Sequence, residues 1–160
     1  MKAKHFSFIM KFIIMALAVF GAFFYYLVVP NLVSLMNILK HFTTKDIFYP
    51  WTIVILLTAI PCYAVLVLAW LMANTVKKET QFSHKNADRL KKMAICALAD
   101  GVFFLLANLW LWIEGLNISA VVILSVLVLL VAIAFAAVAT VLAGMVEKAA
   151  VLQEESDLTI

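Results

Sequence analysis

One carboxylate lies inside a long apolar run, and it is the residue of this sequence best suited to chemistry within a membrane. Asp100 lies about eight residues into the run 93–112, roughly 10 Å along a helix. A carboxylate at that depth costs a few kcal/mol unless it is paired, protonated or hydrated. Thr140 is expected at about the same depth, and Glu114 at the far end of the run. Two interpretations stay open: a structural hydrogen bond between helices, or a proton or cation site.

A second group of polar residues is the basic segment 77–92, KKETQFSHKNADRLKK, with six of the chain's twelve Lys and Arg residues. Ser83 is predicted as the N-cap of a helix. Lys85, Arg89 and Lys92 then fall at i, i+4 and i+7, which places them on one helical face. This pattern is typical of contact with anionic lipid head groups, and it also suits the docking of an acidic partner.

The end of the chain, 147–160, is the acidic counterpart of this segment. Four acids face one lysine there, for a net charge of −3, whereas residues 77–92 carry +4 (six bases less Glu79 and Asp88). We expect the acidic tail to dock on the basic helix, or both to bind a cytosolic partner. The residues expected on this surface are Phe82, Ser83, Lys85, Asn86, Arg89, Lys92, Glu154, Glu155, Asp157 and Leu158.

The elements that position these groups follow from composition. Hydrophobic residues make up 67% of the 160 and charged residues 13%, about half the usual charged share, which excludes an ordinary soluble domain. Because about 20 helical residues cross a hydrocarbon layer about 30 Å thick, four apolar runs predict four transmembrane helices. The fold class is therefore all-α: one polytopic membrane domain over 1–160, an antiparallel bundle with spans at about 12–29, 51–73, 93–112 and 118–146.

The distribution of basic residues predicts the orientation of these spans. With the N-terminus inside, ten Lys and Arg lie on the cytoplasmic side, and only Lys40 and Lys45 lie outside. We therefore expect a multi-pass protein of the bacterial cell membrane with both termini cytoplasmic. The basic segment and the acidic tail then share the cytoplasmic face, and the lipid bilayer is the first partner.

Two local features leave alternatives open. Small residues recur every fourth position in the last run, at Ala132, Ala136, Thr140 and Gly144, which predicts a close helix contact within the bundle or in a homodimer. The segment 31–50 has apolar residues at helical spacing. It is interpreted either as a helix lying on the membrane surface or as an extension of the first span beyond Pro30.

Catalytic and cofactor signatures are missing from the sequence. It has no HExxH, GxSxG or phosphate-binding loop, and its cysteines, Cys62 and Cys96, do not form a CxxC pair. All three histidines lie outside the apolar runs. We therefore expect no cofactor, no metal site, no enzymatic activity and no direct binding of nucleic acid.

Two short stretches connect the chain with a known family. One has the pattern Phe-Ser-x-x-Asn-Ala-x-x-Leu, and the other closes the tail; they comprise Phe82, Ser83, Asn86, Ala87 and Leu90, then Glu154, Glu155, Asp157, Leu158, Thr159 and Ile160. In these stretches the chain resembles the YoaS-like family of small bacterial four-helix membrane proteins, a domain family of unknown function. The resemblance implies pairing with a small helix-turn-helix repressor, since relatives are often encoded beside one.

Two functions follow as hypotheses. The first is a non-enzymatic membrane regulator or interaction protein that binds a cytosolic partner, such as a helix-turn-helix regulator, through its inner loop and tail. The alternative is a small transporter or ion-coupled exporter subunit that uses Asp100.

Overall fold

The computed structural model is helical throughout the elements it describes, which lie within residues 2–39, 48–77 and 82–158. Five α-helices follow one another: α1 Lys2–Phe23, α2 Val29–Leu39, α3 Phe48–Lys77, α4 His84–Ile113 and α5 Ser119–Leu158. Four helical stretches are long and apolar enough to cross a membrane, the first of them running from α1 into α2. The prediction of four membrane-spanning helices is therefore confirmed.

The first span continues beyond Pro30. A π-helical turn, Phe24–Val28, joins α1 to α2, and the helical backbone then runs on to Leu39. A proline lacks an amide hydrogen, and a local π turn accommodates the missing bond. For residues 31–39 the structure thus shows an extension of the first span, whereas 40–47 lie outside the described residues.

Large apolar side chains cover the outside of the helices. Phe12 is 68% exposed and Ile123 71% exposed, and both lie within a candidate spanning stretch. Side chains of this kind are stable on a surface only where lipid replaces water. The distribution agrees with a multi-pass membrane protein.

The long helices pack as an open row. In the described residues α1 packs against α3, α3 against α4 and α4 against α5, but no Cα atom of α5 lies within 8 Å of one in α1 or α3. A four-helix bundle closes on itself when the first and last helices meet. The predicted bundle is therefore open on one side, between α1 and α5.

The contact of α4 with α5 depends on small side chains. Gly101 of α4 faces Ala132 of α5 so closely that an added Cβ would lie 2.8 Å from the Ala132 Cβ. The buried residues of α5 in this region continue at alternating spacings of three and four, with Ala136, Ala139 and Ala143. Residues spaced alternately three and four apart stay on one helix face and can all contact the same neighbour. Residues spaced four apart every time move progressively around the helix and leave that face.

This periodicity corrects the predicted stripe of small residues. Ala132 and Ala136 do lie at the α4 contact, but Thr140 is exposed and nothing lies within 4 Å of a Cβ built on Gly144. The stripe with a period of four leaves the interface after Ala136, because the helices pack with a period near 3.5.

Candidate functional site

A groove of about 480 Å³ lies on the open side of the row of helices. All four long helices contribute to its lining, with Leu17 of α1, Cys62 of α3, Asp100 of α4 and Val131 of α5. Tyr25, from the π-helical turn, lines it as well. The groove lies where the backbones of α1 and α5 do not approach one another.

Asp100 is the acidic residue of this groove, and its carboxylate is incompletely paired. The Cys62 thiol donates to Oδ2 over 3.5 Å, and Oδ1 is buried with no hydrogen-bond partner in the described part of the chain. A thiol is a weak donor, and a buried acceptor without a donor costs about 1–3 kcal/mol. The described residues that line the groove include no Lys, Arg or His. The site therefore presents an acceptor without a strong donor.

The other intramembrane polar residues of the sequence analysis lie elsewhere. The Thr140 hydroxyl donates to the Ala136 carbonyl of its own helix over 2.7 Å. Glu114 caps the end of α4, where its amide donates to the Trp110 carbonyl over 3.1 Å, about 21 Å along the helix from Asp100. The interhelical partner of Asp100 is thus Cys62 rather than Thr140.

One end of the helix row, called the Trp51 end here, holds polar residues that the sequence analysis missed. Asn108 is fully buried, and its Oδ1 accepts from Asn117 Nδ2 over 3.0 Å. Asn117 Oδ1 in turn accepts from the Ile118 amide, and Trp51 Nε1 donates to the Leu116 carbonyl over 3.0 Å. These bonds fix the turn between α4 and α5 against α3. The sequence feature that could have indicated this cluster is Asn108, an asparagine within the apolar run 93–112.

The opposite end, called the His84 end, contains a buried hydrogen-bond cluster. Asn86 is 2% exposed; its Nδ2 donates to Thr75 Oγ1 over 2.6 Å, and its Oδ1 accepts from Arg89 over 2.8 Å. Arg89 also donates to the Leu71 carbonyl over 3.2 Å. The start of α4 is thereby joined to the end of α3. The guanidinium group of Arg89 is therefore hydrogen-bonded within the contact between α3 and α4.

A histidine joins α4 to the acidic end of α5. His84 Nδ1 lies 2.6 Å from Glu147 Oε1, and Nε2 lies 3.3 Å from Glu154 Oε1. His84 is outside the apolar run 93–112. The hydrogen bond to Glu147 and the Glu147 charge, then Glu154, raise the pKa of His84 above its usual value of 6.5. An imidazolium donates from both nitrogens, so it satisfies both carboxylates.

The remaining expected surface residues surround this joint. Phe82 is 50% exposed, Lys85 and Glu155 are exposed, and Lys92 pairs with Asp88 over 3.6 Å on its own helix. Ser83 occupies the predicted N-cap position, but its backbone carbonyl, not its hydroxyl, accepts the first bonds of α4. Asp157 and Leu158 belong to α5, and their side chains lie outside the described residues, as do Thr159 and Ile160.

A family profile described as a protein of unknown function (DUF2975) matches residues 40–160. The chain belongs to this family. The match covers α3, α4 and α5, and with them Asp100 and most of the His84 end. The expected membership in a domain family of unknown function is confirmed. No curated protein and no solved structure matches the chain.

The Phe-Ser-x-x-Asn-Ala-x-x-Leu stretch, on which the resemblance to a family was based, is partly explained by packing. Asn86 and Ala87 are buried, and Leu90 is 9% exposed. Their side chains point into the His84 end, so they reach a partner only if this cluster opens. The members of this segment with exposed side chains are Phe82, His84, Lys85 and Asp88.

The joint at His84 predicts a pH dependence. Because the folded pKa of His84 is raised, its contact with the two carboxylates is present below 6.5 and is lost as the pH rises through the folded value. In an NMR titration of the imidazole in detergent micelles, Glu147→Gln should lower the pKa of His84. Glu155→Gln is the control and should leave it unchanged. An unaltered titration in Glu147→Gln would contradict the geometry.

Proposed function

We propose that the protein is a non-enzymatic regulator or interaction protein of the bacterial cell membrane. Its four spans run antiparallel with both termini cytoplasmic, so that the His84 end faces the cytosol and binds a partner there. The excess of ten Lys and Arg residues over two supports this orientation. A helix-turn-helix regulator is the proposed partner, and a homodimer stays a prediction.

The observation that carries this proposal is the length of the two helices that are joined at the His84 end. α4 has 30 residues and α5 has 40, which correspond to about 45 and 60 Å, whereas the hydrocarbon layer measures about 30 Å. His84 holds the start of α4 to Glu147 and Glu154 near the end of α5. A paired helical projection is more rigid than two loose segments, and it offers a preformed surface.

The chemistry of this surface indicates the kind of partner. Leu152 is 65% exposed and Val151 42% exposed, next to the acidic side chains of Glu154 and Glu155. Exposed apolar residues with a charged rim are typical of protein interfaces. The acidic rim suits a basic partner, and DNA-binding domains are basic on the face that contacts phosphate.

The test is capture of the regulator in cells. A fluorescently labelled helix-turn-helix regulator should localise to the membrane with the full chain, but stay cytosolic when the chain is truncated after Val151. The double change Glu154→Lys and Glu155→Lys should also release it, while Gln153→Lys, which adds charge without removing a carboxylate, should retain it. If the regulator still localises to the membrane after the tail is truncated, the result would argue against the proposal.

Asp100 favours a second candidate, an ion-coupled exporter or transporter subunit. The supporting observation is an incompletely paired carboxylate on a residue that lines a groove between the long helices. In proteoliposomes, Asp100→Asn should abolish proton-coupled flux and leave capture of the regulator intact. Flux that persists in this variant would exclude Asp100 as the coupling group.

A further inference from the structure

The groove combines one acidic group with an apolar wall, and this combination selects a ligand class. Asp100 is the acidic residue among the described lining residues, and no basic residue stands beside it. Its carboxylate receives only a weak thiol hydrogen bond, so it can accept a stronger donor, and in its ionised form it needs a cation. An ammonium group supplies both in one atom.

The rest of the lining is suited to a hydrocarbon body. Leu17 is 52% exposed, Val131 64% and Phe135 42%, and all three face the groove from α1 and α5. A volume of about 480 Å³ falls within the range of small-molecule sites, roughly 300–1,000 Å³. The polar part of the ligand is small, since one carboxylate has to satisfy it.

The route into the groove is sideways. The backbones of α1 and α5 both line it without approaching within 8 Å of one another, so it opens toward the hydrocarbon layer that surrounds the exposed apolar side chains. Amphipathic amines concentrate in this layer and at its surface, because their apolar part leaves water there. A ligand that partitions into the membrane therefore reaches Asp100 without crossing a packed helix contact.

We propose that this groove binds lipophilic monovalent amines, with the ammonium group paired to the Asp100 carboxylate and the apolar body packed between α1 and α5. The inference rests on the same carboxylate as the transport candidate, but binding is measured without flux, so that either proposal can fail alone. The other occupant that the groove would fit is a second copy of this chain.

The experiment compares two probes of nearly equal shape, 1-aminoadamantane and the uncharged 1-adamantanol. Equilibrium dialysis against protein in lipid nanodiscs, corrected with empty nanodiscs, should show saturable binding of the amine about tenfold tighter than that of the alcohol. Asp100→Asn should remove this preference. Asp88→Asn, the same change on α4 outside the groove, should keep it.

A second variant keeps the inference testable if Asp100→Asn does not fold. Val131→Trp fills the groove from an exposed position on α5, and it should weaken binding of both probes at least about tenfold while Asp100 is intact. Equal affinity for the two probes would overturn the proposal, as would a preference for the amine that survives Asp100→Asn. Absence of saturable binding together with Cys62 crosslinking between two chains would assign the groove to a dimer.

Discussion

Gly101→Ala is expected to destabilise the contact of α4 with α5 by about 1–3 kcal/mol. The added Cβ would lie 2.8 Å from the Ala132 Cβ and 3.2 Å from Cδ1 of Leu129. The Ala132 Cβ is fixed to the helix backbone, so it cannot move aside by rotation. The two helices must separate instead, and the small-residue packing along α5 is lost with them.

The measurement is unfolding of the purified protein in mixed micelles, followed by circular dichroism. Gly144→Ala is the matched control, because nothing lies within 4 Å of a Cβ there, and it should leave stability unchanged or slightly improved. Gly101→Ala combined with Ala132→Gly should recover most of the loss, since it returns the missing space. Equal stability of Gly101→Ala and Gly144→Ala would show that the contact is looser than described.

Asn86→Leu is expected to lower the free energy of unfolding by about 1–3 kcal/mol. Asn86 is 2% exposed, and leucine has the same branched heavy-atom skeleton but is larger and has no polar atoms. The substitution removes the donor to Thr75 Oγ1 and the acceptor of Arg89, both at the joint of α3 with α4. Buried polar groups that lose a partner are costly, which is why the effect exceeds that of an exposed site.

Lys85→Leu is the control for this prediction, because Lys85 is exposed on the same turn of α4. It should leave the unfolding free energy unchanged within about 0.5 kcal/mol. Capture of the regulator should be retained by an Asn86→Leu protein that remains folded. If Asn86→Leu unfolds like the wild type and loses only capture, Asn86 acts at the partner surface and not in the packing.

The all-helical fold class and the number of long apolar helices were predictable from local pattern. Runs such as 51–73 are apolar on every side, and a chain in lipid must satisfy its backbone within each helix. The start of α4 at His84 followed from Ser83 at the N-cap position, although the hydroxyl itself makes no capping bond. These features depend on neighbours within a few residues.

Only part of the candidate site could be predicted from local sequence pattern. Asp100 was identified because a carboxylate in an apolar run is conspicuous, yet its neighbour Cys62 is 38 residues away and carried no signal. His84 was set aside as a histidine outside the spans, although Glu147, 63 residues later, completes the joint. Which residues meet across such separations depends on helix rotation and register, which are not encoded by any one segment.

The sequence by itself determined the solvent of this protein, the number of its spans and the position of its single deep carboxylate, because hydropathy and helix length act locally. Only the tertiary structure decided that the row of helices is open between α1 and α5, that Thr140 turns away, and that Asn86 is buried. In lipid an apolar face has no preferred neighbour, so close packing and buried hydrogen bonds select the arrangement.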